Sequence, residues 1–391
     1  MSSIPINCPI VRVPEVVPCD ASELDELVAW LESDASAEET RVFARGTFLP
    51  DGRLDLCKQG VGPLGCARLT GALKTNSRVK SVLLGTDAIG DVGASSVARL
   101  IESNLHLEVI YLGCNGISSR GAGELARVLE SNSSVKGLWL KRNPIGDDGL
   151  LALAQMLRCN TTLEVLDVVN CGFGGEAFAR LVATLRDENR TLKRFYAGGN
   201  GAPPALFLAE CLNISPALEG LFLNASALEN RGAKFLGKAL SRNRALRELG
   251  IGSNGIGLEG LSALCDGLAV NQTLESLDLG RAASQTVLGA AGNDFQNGGE
   301  LLAAMLRCNT SLHRLNLRGT KLGQSDLEPI FEVATLHPRL VELLVDAPLP
   351  VDLKQRLDSN RTHYGHWAGD AGASLIKSVY RTARKVEMSQ P

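Results

Sequence analysis

The feature that most constrains this chain is a spacing. Aligning on the first apolar residue of each unit places Val79, Leu107, Val135, Leu163, Leu192, Leu218, Leu246, Leu274, Leu312 and Leu340 at intervals of 28, 28, 28, 29, 26, 28, 28, 38 and 28 residues. A degenerate earlier unit begins at Asp51, with Leu54 and Leu56 in register. Self-similarity at such a period means stacked supersecondary units, none of which buries its apolar face alone.

The unit "VKGLWLKRNPIGDDGLLALAQMLRCNTT" shows what each repeat does. Leu138 and Leu140 alternate with Trp139 and Lys141, the period of a strand. Asn143 follows, a side chain suited to bonding loop backbone. Leu150, Leu153, Ala154 and Leu157 then recur at helical spacing. Strand, loop, helix and return make one right-handed parallel turn per repeat.

The pattern L-x-x-L-x-L-x-x-N/C-x-I-G-x-x-G followed by a helix is similar to ribonuclease-inhibitor-type leucine-rich repeats. It also looks like the repeat regions of NOD-like immune receptors. The resemblance covers roughly residues 51 to 346 and implies an α/β leucine-rich-repeat solenoid. Strands pair about 4.8 Å apart whereas packed helices need about 8–10 Å. A right-handed β/α horseshoe follows, with the parallel sheet concave and the helices convex.

Residues 1–50 are expected to form an N-terminal cap, 51–346 a solenoid of about eleven units, and 347–391 a C-terminal cap with a basic helical tail. In the first, Leu24, Leu27, Val28 and Leu31 share a helical face beside Trp30, with Asp20 or Ser22 as cap. "RVFARGTFLPDGRLDL" reads as a hairpin leading into the first repeat strand. The N-terminus carries no basic start before an apolar run, so no signal peptide is expected. In the last, "ASLIKSVYRTARKV" places Leu375, Ile376, Val379 and Ala383 on one helical face, with Lys377, Arg381, Arg384 and Lys385 nearby. That helix is expected to pack on the last repeat. His363, Tyr364, His366, Trp367 and Asp370 cluster in sequence without a firm ligand spacing, and a capping turn is the simpler reading. An insertion of about ten residues within 281–293 follows a strand and should protrude at the loop rim, as a functional loop or a tolerated one.

A formal charge of −3 argues against a broad nucleic-acid footprint, and no apolar run is long enough to span a membrane. The ten cysteines are scattered singly, without CxxC, which points to free thiols and a cytoplasmic setting. The sequons at Asn132, Asn160 and Asn271 fall on one repeat position, so the repeat explains them. Five histidines without a partnering nucleophile, and no GxxxxGK[ST], leave no catalytic constellation. No enzyme activity, cofactor or metal is expected.

The candidate site is a column. The fifth strand position reads Asp55, Leu83, Tyr111, Trp139, Asp167, Tyr196, Phe222, Gly250, Asp278, Asn316 and Leu344. Four of these eleven are aromatic, where the whole-chain share of 4% gives fewer than one. Positions three and seven carry none and supply Gly85, Gly113, Gly137, Gly198 and Gly220, so the rings are expected to stand accessible. Lys141, Arg142 and Arg194 add positive charge and Asp167 interrupts it. The stripe from Leu83 to Phe222 spans roughly 24 Å at strand spacing, a dimension that suits a protein partner. The alternative is that the rings merely cover the sheet. As a contact stripe, Trp139→Ala and Tyr196→Ala should weaken binding by about 2 kcal/mol or more with folding largely kept. Position two alternates Lys80, Glu108, Lys136, Glu164, Lys193, Glu219, Arg247 and Glu275, the signature of a stabilising charge ladder.

The reading is a protein-interaction scaffold, inhibitory or regulatory, with partner identity and oligomeric state open. Ribonuclease inhibitors are strongly acidic, and this chain departs from that. Two alternatives stand beside it. GTPase activators of the small GTPase Ran have similar repeats, which would give Arg142 a role at a partner's active site, but their acidic tail is replaced here by a basic one. The other is a secreted bacterial repeat effector, against which the cysteine count argues.

Overall fold

The computed structural model describes residues 16–35, 37–201, 203, 205–215, 217–365 and 371–381. The chain divides into two compact units, residues 1–173 with 370–391, and residues 174–369.

The first unit opens on a short helical segment. Asp20 accepts from Ser22 N and donates its own N–H to Glu23, a reciprocal capping box that starts a 3-10 turn. Helix α1 (Asp25–Glu32) follows and buries Leu27, Trp30 and Leu31. Strands β1 (Arg41–Val42), β2 (Thr47–Leu49) and β3 (Arg53–Asp55) pair antiparallel, as the hairpin motif requires. Trp30 packs on Phe43 and Phe48 at centroid distances of 5.5 and 4.8 Å, and the Arg41 guanidinium lies over Trp30 and Phe43.

From β3 the pairing is parallel through β4 (Ser81–Leu83), β5 (Val109–Tyr111), β6 (Gly137–Trp139) and β7 (Val165–Asp167). Between them run α2 (Gly62–Ala72), α3 (Gly90–Ser103), α4 (Ser119–Leu129) and α5 (Gly146–Cys159). Each strand sends its flanking leucines to the core, such as Leu138 and Leu140, both fully buried. A left-handed residue recurs at each strand exit: Lys58, Thr86, Cys114, Arg142 and Asn170, with φ between 52° and 63°. The backbone of Arg142 is therefore a property of the repeat turn.

The second unit continues with α6 (Gly175–Asp187), β8 (Arg194–Tyr196), α7 (Ala205–Ile214), β9 (Gly220–Phe222), α8 (Glu229–Leu240), β10 (Glu248–Gly250), α9 (Leu258–Val270) and β11 (Ser276–Asp278). Then come α10 (Gln285–Leu288), α11 (Gly299–Cys308), β12 (Arg314–Asn316), α12 (Gln324–Leu336), β13 (Glu342–Leu344) and α13 (Val351–Tyr364). Its strands β8 to β13 are likewise parallel and in register.

Asparagines bind successive turns together. Asn271 Oδ1 accepts from Thr273 N and Leu274 N, while its Nδ2 donates to Leu240 O and Asn243 O. Asn104, Asn132, Asn160, Asn243 and Asn309 repeat the arrangement. The sequon asparagines are thus buried structural side chains, in keeping with their place in the repeat.

The insertion folds back on its neighbour. Residue Ala282 N donates to Ser253 Oγ, which itself bonds Gln285 Oε1, and Gly255 N donates to Ala291 O. Asn293 then resumes the repeat, its Nδ2 reaching Leu279 O and Ile251 O. The expected protruding loop is a helical turn tied to the preceding strand exit.

The tail also differs from expectation. The described part has a short helix at Ala371–Ser374 and a 3-10 turn at Val379–Arg381, so Leu375 and Val379 do not share one buried helical face. Both are more than two-fifths exposed while Ile376 is buried. Its contacts are made with β2 and β3 instead of the last repeat. Ala383, Arg384 and Lys385 lie outside the described residues, as do His366, Trp367 and Asp370. His363 and Tyr364 sit in the last turn of α13 with rings 5.5 Å apart.

Candidate functional site

Register places the column side by side within each unit. In the first, Asp55 pairs with Leu83, Leu83 with Tyr111, Tyr111 with Trp139 and Trp139 with Asp167. In the second, Tyr196 pairs with Phe222, Phe222 with Gly250, Gly250 with Asp278, and Asp278 with Asn316. Alternation along each strand sets these side chains on the face opposite the core leucines.

The expected accessible ridge is corrected by burial. Leu83, Trp139, Asp167 and Tyr196 are buried, with Trp139 only 1% exposed, whereas Tyr111, Phe222, Lys141, Arg142 and Arg194 are partly exposed. The glycines that were expected to leave the rings standing do the reverse. A Cβ on Gly137 would lie 2.3 Å from the Trp139 ring, and one on Gly85 would lie 2.3 Å from the Tyr111 ring. Without side chains at those positions the rings lie down on the backbone. Tyr196 and Phe222 stack in parallel, centroids 4.3 Å apart and planes 4° from coincident.

The charges are engaged within the fold. Lys141 Nζ lies 3.6 Å from Asp167 Oδ2 and 5.3 Å from the Tyr111 ring centroid. Burial pushes the Asp167 carboxyl up, and Lys141 opposes that shift. Arg194 sits 2.9 Å from Glu248 and 3.9 Å from Glu219. Burial works against its charge, but its bond to Glu248 carries it above its ordinary value. The position-two ladder forms where Lys136 meets Glu108 at 2.8 Å and Arg247 meets Glu275 at 2.9 Å. The Glu108 bond raises the Lys136 ammonium.

Sequence reasoning passed over Asp55 as a site residue although it named the position. Asp55 is fully buried and holds the chain's own C-terminal segment, through Ser378 and Val379. The signal was its place as the first rung. Among the described residues no group of three or more His, Cys, Asp or Glu could hold a metal. No described helix is long and apolar enough to cross a membrane.

Four segments, residues 103–126, 131–154, 159–177 and 242–265, match the Leucine Rich repeat family. The chain carries leucine-rich repeats, and its fold class is the α/β leucine-rich-repeat solenoid. Over 144 residues it is 28% identical to the human "NACHT, LRR and PYD domains-containing protein 13", covering 36% of this chain and 13% of that protein. Its repeats are thus similar to those of a NOD-like receptor, while the match spans a small part of that protein's length. Among solved structures, leiomodin-1 actin-binding site 2 aligns with TM-score 0.34 and 18% identity, over 41% of this chain and 86% of that one. The Caenorhabditis elegans tropomodulin C-terminal domain aligns with TM-score 0.34 and 15% identity, over 41% and 90%. Likeness at this level says nothing about partners.

Proposed function

We propose that this protein is an interaction scaffold in a reducing, cytoplasmic compartment and that its strand faces take a protein partner. The observation that carries the reading is the column, with side chains of adjacent strands in register and aromatic rings concentrated at one position. Tyr111, Phe222, Lys141, Arg142 and Arg194 are its contact residues, being the partly exposed members. Within the first unit Leu83, Trp139 and Asp167 are the buried rungs beside Tyr111, and within the second the buried Tyr196 stacks on Phe222. Aromatic and arginine side chains dominate interface energetics when they become buried on binding. The nine described cysteines are free thiols, which suits the compartment.

Burial changes which substitutions test this. Trp139→Ala removes a fully packed ring and is expected to cost about 3–5 kcal/mol of folding stability, so loss of binding there is ambiguous. Tyr111→Ala and Phe222→Ala remove partly exposed rings, so they are expected to cost folding only about 1 kcal/mol, which leaves the chain folded, and to weaken partner binding by about 1–2 kcal/mol each. The measurement is capture from native lysate with parent and each variant, followed by titration of the captured protein. Equal capture by the parent and both variants would sink the reading.

A further inference from the structure

The sheet face at β2 and β3 is already occupied. Ser378 Oγ donates to Asp55 Oδ1 at 3.1 Å and Val379 N donates to Asp55 Oδ2 at 2.7 Å. Arg53 Nη1 donates to Lys377 O at 2.6 Å, and the Tyr380 and Thr47 hydroxyls bond at 2.6 Å. Ile376 and Ser378 are buried by the contact and Tyr380 is half-buried, while Lys377 and Val379 face outward.

Other acidic rungs show why this seating matters. Asp167 and Asp278 each accept from the backbone N–H two residues on, as Asp55 does from Cys57. Their second need is met from their own or a neighbouring strand: Lys141 lies 3.6 Å from Asp167, and Arg314 lies 3.6 Å from Asp278, with Asn316 donating to it as well. Asp55 has no such cation among the described residues. The guanidinium of Arg53, two residues earlier, turns instead to Asp51 and to Lys377 O. A fully buried carboxylate without donors is costly, and here the missing donors come from the segment.

We propose that the face of β2 and β3 is a peptide-binding site, filled in cis by Lys377–Tyr380. It recognises a serine hydroxyl and the next backbone N–H on Asp55, a carbonyl on Arg53, and a tyrosine hydroxyl on Thr47. Its ligand class is a short hydroxyl-bearing peptide segment. Asp55 pairs with Leu83 and Leu83 with Tyr111, so the segment ends two rungs from the proposed partner contact at Tyr111. That it limits a partner's access there rests on the function proposed above; the site itself does not.

Hydrogen exchange on the full chain, with no partner present, tests the site. In the parent, residues 375–381 are expected to exchange at least about tenfold slower than in Ser378→Glu, whose new carboxylate is repelled by Asp55. Peptides over α3 to α5 should be unchanged, because Ser378 lies outside the repeats. A synthetic peptide of residues 371–381 should then bind the Ser378→Glu chain saturably, bind the filled parent at least about tenfold more weakly, and lose binding when its serine at position 378 is replaced by glutamate. Equal exchange in parent and variant, or no uptake of peptide by the variant, overturns the proposal. Neither readout involves a partner, so they stand or fall separately from the lysate capture by Tyr111→Ala and Phe222→Ala.

Discussion

Asp87 shows how one side chain departs from its repeat. Where Asn115 and Asn143 follow the strand, their Nδ2 atoms donate to strand carbonyls, Asn115 to Leu112 O and Asn143 to Leu112 O and Leu140 O. Asp87 stands at the same position, fully buried, with Oδ1 accepting from Gln59, Gly60 and Val61 N–H. Its Oδ2 has no hydrogen-bond partner among the described residues. Burial raises this carboxyl to about 8, against the lowering effect of those three amides. The neighbouring repeats carry an amide donor where Asp87 carries Oδ2. The folded state therefore holds a proton that the unfolded chain releases near 4, so the contribution of Asp87 to stability is greatest below that pH and is lost as pH rises toward about 8. Asp87→Asn is expected to remove this slope and to gain a few kcal/mol at pH 9, with little change at pH 4. Urea midpoints at pH 4, 7 and 9 check it; parallel curves for parent and variant would show that Asp87 is not the titrating group.

At the scale of the element, the repeat is held by two kinds of contact, and they differ in how readable they are. Core leucines such as Leu138, Leu140, Leu150, Leu153 and Leu157 declare themselves by period, and all five are fully buried. The turn asparagines declare themselves by recurrence, although their bonds across turns emerge only in three dimensions. Asn271→Ala strands two backbone N–H groups and two carbonyls at a fully buried turn. The expected cost is about 3 kcal/mol of stability, with local exchange rising first at Leu240–Leu246 and Thr273–Leu274. Fast exchange spread evenly over both units would contradict that locality. The rings were misread for an identifiable reason. Glycine at positions three and seven reads in the sequence as space beside the rings, and it is space beneath them, since a missing Cβ at Gly137 or Gly85 lets a ring lie flat.

Across the whole molecule, charge is nearly balanced, at −3 over 391 residues, and two of the basic side chains beside the column are committed internally. Lys141 is engaged with Asp167 and Tyr111, and Arg194 with Glu248 and Glu219. Binding at the strand faces should therefore depend weakly on salt: between 50 and 500 mM the affinity is expected to change by less than about threefold. A steep decline in a titration across that range would mean that Lys141, Arg142 or Arg194 leaves its place to meet an acidic partner.

The repeat, its period, the strand, loop and helix within it, and the residues that share a column are all legible in the order of residues. Those follow from periodicity, which is local and additive, and four segments match the leucine-rich repeat on that basis. Which members of the column meet solvent emerges from packing in three dimensions. Packing also turned the expected tail helix into a segment seated on Asp55 and tied the insertion back to Ser253. Each of these depends on residues distant in sequence meeting at one place. Ser378 and Asp55 are 323 residues apart, and no period of 28 predicts that pairing.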